Sequence, residues 1–187
     1  NFLGAASLVF YGYWNITYTA LLLVSIAFNF AIGRAIERQL AQALSSEGVS
    51  TVSNYQSGAA RILAAGIITN LALLCYFKYM DFFIGSINAL SDNAWLPLLN
   101  ITLPLGISFF TFTQIAYLVD VRRGVACEYN FSHYLLFVTY FPHLIAGPVL
   151  HHRQMMPQFS HPNTYQPQWN LIAQGIAIFS VGLAKKL

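Results

Sequence analysis

ITYTALLLVSIAFNFAIG, residues 16–33, holds 18 residues without a single charge. A helix needs about 20 mostly apolar residues to cross the hydrocarbon core of a bilayer. The run therefore reads as a transmembrane helix, and what surrounds it supports that reading. Residues 1–13 look like the tail of another span, and Trp14-Asn15 form a polar break between the two. The first 33 residues carry no charge at all, and a secretory signal would need a basic region ahead of its apolar core. That reading is excluded.

Composition extends the conclusion to the whole chain. Of 187 residues only 8% are charged, 57% are hydrophobic and 16% aromatic, and the mean hydropathy is +0.56. Soluble domains carry roughly 25% charged residues, whereas Tyr and Trp collect at membrane interfaces. Nine Lys/Arg against six Asp/Glu give a net charge of +3 spread over several segments. Such a spread sets membrane orientation rather than nucleic-acid binding. Cys75 and Cys127 have neither metal nor redox spacing and read as unpaired small residues.

Moving outward from the first run, residues 34–61 read as a polar loop rich in serine. Residues 62–77 form a further apolar run that ends at Lys78, whose stem can snorkel to the interface. Residues 93–119 are uncharged but interrupted by Pro97 and Pro104; residues 129–152 are uncharged apart from histidines. Residues 155–169 read as a loop, and 171–184 as a last apolar run closed by Lys185-Lys186. Lys and Arg favour cytoplasmic loops, which places Arg34, Arg38, Arg61, Arg122 and Arg123 inside and the turn near Lys78 and Asp81 outside. The expected architecture is all-α: a polytopic transmembrane helical bundle with broken or re-entrant segments, in one domain over residues 1–187. Both ends read as cut from a longer chain.

The broken segment is YFPHLIAGPVLHHR, residues 140–153. Proline removes a backbone donor and clashes with the preceding turn. Lipid tolerates a broken helix only where protein or a water-filled cavity satisfies the freed backbone groups. Pro142 and the Gly147-Pro148 pair thus point to a protein that works at membrane depth. If the segment spans fully, His151, His152 and Arg153 lie outside; if it is re-entrant they stay inside.

Candidate polar residues follow from the same logic. An ionisable or polar group at membrane depth either works or glues helices together. His143 and Gln114 are such residues; Gln114 lies mid-run between Phe110, Phe112 and Tyr117. His151 and His152 point about 100° apart on a helix and cannot share one metal, and no further ligand lies at helical spacing. They read as lining residues, as does Arg153. Arg122 and Arg123 read as a positive-inside stop or as contacts to an anionic donor. The triplets at Asn15, Asn100 and Asn130 match the glycosylation pattern by chance. The sequence has no internal repeat, no GxxxxGK[ST] loop, no HExxH pair and no GxSxG elbow.

Two stretches carry a resemblance. ITLPLGISFFTFTQIAYLVDVRRG (residues 101–124) and YFPHLIAGPVLHHRQMMPQF (residues 140–159) resemble the membrane-bound O-acyltransferase family. So do the opening LVFYGYWNITYTALLLVSIAFNFAIGRAI and the closing GLAKKL. The likeness is to the bacterial branch that acetylates alginate and D-alanylates lipoteichoic acid, and it covers the N-terminal part of the family's domain.

The resemblance implies many helices around a tunnel. It implies an acyl thioester donor (acetyl-CoA or an acyl carrier) on the cytoplasmic side and a polysaccharide or cell-wall hydroxyl met from the other face. An extracytoplasmic partner acyltransferase would relay the group in some members. No bound cofactor and no metal are implied, and the setting is a bacterial cytoplasmic membrane. The family's catalytic His follows a Trp-Arg-Arg-Trp-His type segment that these 187 residues lack. No catalytic residue is therefore assigned here; the His is expected beyond Leu187, and the fragment alone is expected to be inactive. Gln114, His143, His151, His152 and Arg153 remain as tunnel-lining or substrate-binding candidates. A transporter or channel also uses broken helices, but no Asp or Glu lies inside the apolar runs. A non-catalytic membrane scaffold is the third class.

Overall fold

The computed structural model describes residues 2–45, 49–90, 96–126, 130–140, 155 and 166–186. The chain divides into two compact units, Asn1–Arg153 and Gln154–Leu187. The first holds α1 (Phe2–Trp14), α2 (Ile16–Ser45), α3 (Val49–Leu90), α4 (Ile107–Arg122) and α5 (Phe131–Thr139). The second holds α6 (Trp169–Lys186), which ends on Lys185 and Lys186. No strand occurs among the described residues, and the architecture is all-α.

Helix starts are written in single side chains. Asn15 separates α1 from α2: its Oδ1 accepts from the Thr17 N–H at 2.9 Å, as an N-cap does. Asn130 does the same for α5 through the Ser132 N–H at 2.9 Å. Asn100 sits at φ 50°, a left-handed conformation that Asn accepts more readily than most residues. The three asparagines of the glycosylation-like triplets are thus two caps and a turn.

α2 and α3 are long and apolar enough to cross a membrane, and α2 packs against both α3 and α4. The buried positions of α2 are Leu22, Ser25, Ile26, Asn29, Gly33, Ile36 and Ala43. Their spacing of three, four and seven residues forms one stripe down the helix. Without a hydrophobic drive between helices in lipid, small residues allow close approach. At Gly33 a Cβ would come within 2.8 Å of the Tyr117 ring on α4. At Gly66 on α3 it would come within 2.8 Å of Leu118 Cδ1. α5 is fastened by Tyr134, whose ring lies 4.5 Å from that of Tyr117 and 5.7 Å from that of Phe30, centroid to centroid.

Three sequence readings are corrected. Residues 34–61 do not form a polar loop: α2 runs to Ser45 and α3 begins at Val49. The polar residues coat a helical hairpin whose inner face still buries Ile36, Ala43 and Ala59. Lys78 does not end the third span, because α3 continues to Leu90. Lys78 Nζ approaches Ser108 Oγ at 3.5 Å and lies 5.4 Å from the Tyr79 ring centre, so its charge is accommodated on the helix surface. Residues 93–119 are not one span; the helix starts only at Ile107.

The stretch ahead of α4 is held by side chains instead of a backbone ladder. Asp81 accepts from the Leu99 and Ile101 N–H groups at 2.8 and 2.9 Å. Asn88 bonds both the carbonyl and the N–H of Leu96. Tyr18 and Tyr11 donate to the carbonyls of Thr102 and Leu105 at 2.7 and 2.8 Å. Gly106, at φ 68°, then turns the chain into α4. Prolines at 97 and 104 lack the N–H that a helix would have used.

Candidate functional site

Each of the three central helices carries one or two polar side chains in an otherwise apolar face, and packing brings them into one layer. Asn29 of α2, Asn70 of α3 and Gln114 of α4 are all essentially buried, at 1%, 2% and 0% exposure. Asn29 Nδ2 donates to Asn70 Oδ1 at 3.2 Å, and Asn70 Nδ2 donates back to Asn29 Oδ1 at 2.7 Å. Asn29 Nδ2 also meets Gln114 Oε1, which accepts from Ser25 Oγ at 3.1 Å as well. Two helical carbonyls complete the network: Asn29 Nδ2 donates to Ser25 O and Asn70 Nδ2 to Gly66 O, at 2.9 and 2.8 Å.

The layer lies at mid-depth. Asn70 is nine residues after Arg61 and eight before Lys78, the charges that bracket the apolar part of α3. At 1.5 Å per residue these 17 residues cover about 25 Å, close to the ~30 Å of a hydrocarbon core. Gln114 is likewise seven residues from Ile107 and eight from Arg122 on α4. A buried amide in lipid must find partners; here the three helices supply them to one another.

Two polar atoms of α4 are left over. Gln114 Nε2 and Thr111 Oγ1 are buried and have no hydrogen-bond partner among the described residues. Beside the layer, between α2 and α3, a cavity of about 210 Å³ places Val24, Phe28 and Leu73 over Ser25, Asn29 and Asn70. Neutral amides and a hydroxyl can fix helices and orient a polar group. They cannot take a proton from an alcohol at neutral pH. Among the described residues no group of His, Cys, Asp or Glu is placed to hold a metal ion.

Of the residues singled out in the sequence, Gln114 is in the layer. His143, His151, His152, Arg153 and Cys127 lie outside the described residues. His133 is exposed on α5, and Cys75 is exposed on α3. Arg122 donates from Nη2 to the Gln56 carbonyl at 3.3 Å, joining the end of α4 to the start of α3. Sequence reasoning missed Ser25, Asn29 and Asn70. The signal was present: Asn29 and Asn70 are isolated amides in apolar runs, as Gln114 is.

Known proteins resemble this chain along almost its whole length. The peptidoglycan O-acetyltransferase of Helicobacter pylori is 38% identical over 207 residues, covering 97% of this chain and 36% of the relative. The probable alginate O-acetylases of Azotobacter vinelandii and Pseudomonas aeruginosa are 37% and 36% identical over 186 residues. Each match covers 97% of this chain and 34% or 33% of the relative. The chain spans about a third of the length of the curated relatives it matches. No family model matches it, and no solved structure does.

Proposed function

The chain belongs to the membrane-bound O-acyltransferase family, and from that premise we propose that its parent protein acetylates an exported polysaccharide or cell-wall polymer. The observation that carries this reading is the 38% identity, over 97% of the chain, to a relative named as a peptidoglycan O-acetyltransferase. The reaction moves an acyl group from a thioester to a polymer hydroxyl. A neutral His takes the hydroxyl proton, the oxygen attacks the acyl carbonyl, and the thiolate leaves. Exclusion of water limits loss of the thioester to hydrolysis.

In this reading residues 1–187 are wall and scaffold. The base is a His in sequence outside them, and Gln114, His143, His151, His152 and Arg153 line the acyl path. The donor is acetyl-CoA or an acyl carrier on the cytoplasmic side, and an extracytoplasmic acyltransferase is a candidate relay partner. The location is the bacterial cytoplasmic membrane, crossed several times, with the basic ends of α2, α3 and α4 inside.

Deletion of the parent gene is expected to remove acetyl esters from the envelope polymer, and the full-length gene is expected to restore them. Unchanged ester content after deletion would sink the proposal.

A further inference from the structure

We propose that the basic mouth formed where α2 ends, α3 begins and α4 ends is a binding site for a phosphate group carried on an apolar tail. The mouth is a cavity of about 290 Å³. Leu40, Leu44 and Val52 line one side; Gln56, Arg122 and Arg123 line the other. A pocket half apolar and half guanidinium suits an amphipathic anion better than a free ion. Arg presents a planar fork of donors that matches phosphate oxygens.

Both arginines have donors to spare. Arg122 uses Nη2 on the Gln56 carbonyl at 3.3 Å, which holds its guanidinium across the mouth. Arg123 is exposed. No carboxylate lines the cavity. Glu37, the acid on the neighbouring stretch of α2, is engaged by Arg34 at 3.1 Å, and Asp120 is buried at 8% exposure. The negative end of α4 is also muted. The Val125 and Ala126 N–H groups cap the Asp120 carbonyl at 2.9 and 3.2 Å, and the Gly124 N–H caps that of Val121 at 3.0 Å.

Depth selects the ligand. Arg122 is eight residues from Gln114, or about 12 Å along the helix from the mid-depth layer. Half a hydrocarbon core is about 15 Å. An extended arginine therefore reaches the plane where lipid phosphates sit, and basic pockets between helices at that level bind anionic headgroups. The same chemistry fits the phosphate of a phosphate-bearing thioester donor, and binding tells the two apart.

The test uses the full-length parent, delipidated in neutral detergent, and follows binding of phosphatidylglycerol, phosphatidylcholine and coenzyme A by native mass spectrometry. The parent is expected to prefer phosphatidylglycerol to phosphatidylcholine. Arg122→Gln with Arg123→Gln should weaken retention about tenfold or more, while Arg122→Lys with Arg123→Lys keeps part of it. Arginine-dependent binding of coenzyme A identifies the donor phosphate as occupant; its absence, with lipid retained, identifies the lipid. Equal binding of both probes by the parent and the glutamine variant, or no binding of either probe by the parent, overturns the proposal. Because the readout is binding, it stands or falls apart from acetyl transfer.

Discussion

Asn29 and Asn70 face each other across α2 and α3 as a reciprocal amide pair, each donating Nδ2 to the other's Oδ1. The pair fixes register at mid-depth, where a slip by one residue would leave two amides in lipid. In Asn70→Leu, the Asn29 amide loses its partner on α3. The cost is about 1–3 kcal/mol, the penalty for an unsatisfied buried group. Asn29→Leu and Asn70→Leu together should cost less than the sum of the two, with a coupling of about 0.6–2 kcal/mol. Thermal unfolding of the full-length parent in detergent measures this; strict additivity contradicts it.

Gly33 is held by the Tyr117 ring and Gly66 by a side-chain tip, so their alanine variants should differ. A Cβ at Gly33 would lie 2.8 Å from Tyr117 Cε1, and that ring is packed against Tyr134. Gly33→Ala is expected to cost about 1–3 kcal/mol through overpacking, partly recovered by Tyr117→Leu. A Cβ at Gly66 would meet Leu118 Cδ1, the movable end of a side chain, and Ile32 Cγ2 at 3.1 Å. Gly66→Ala should therefore cost less. The reverse order of melting temperatures would contradict the packing described.

Asp81 ties down the segment before α4 through two N–H groups. Asp81→Ala removes both acceptors and should destabilise that segment by about 1–3 kcal/mol. Limited proteolysis should then cut more readily within residues 96–101. An unchanged cleavage rate would mean that the tyrosine and Asn88 contacts suffice.

The two ends of the α2–α3 hairpin should lie on opposite sides of the membrane. In a background with Cys75 and Cys127 replaced, Arg38→Cys and Leu99→Cys are expected to react with an impermeant maleimide from opposite faces. Leu99 should react from outside and Arg38 only after permeabilisation. Labelling of both from one face contradicts the positive-inside assignment.

Much of this was legible in the residues themselves. Composition and the uncharged run at 16–33 establish an all-α membrane protein, and Asn15 announces a helix boundary before any coordinate is known. Residues 34–61 misled because serine and charge read as loop, whereas a helix leaving the membrane shows the same polarity on its outer face while burying Ile36 and Ala59. Residues 93–106 misled because apolarity says nothing of who satisfies the backbone; there Asp81, Asn88, Tyr11 and Tyr18 do so from far along the chain. Gln114 stood out in sequence, but its partners did not. Ser25, Asn29 and Asn70 lie on other helices, and only packing gathers them into one layer.

The central claim is that the parent protein transfers acetyl groups to an exported polymer with a base outside residues 1–187. The most direct measurement is the acetyl-ester content of that polymer in a deletion strain complemented by the parent with His133, His143, His151, His152 or His161 changed singly to Ala. The account predicts that the parent restores the esters and that every variant keeps at least partial acetylation. Failure of the parent to restore them, or complete loss in one variant at normal membrane levels, would contradict it.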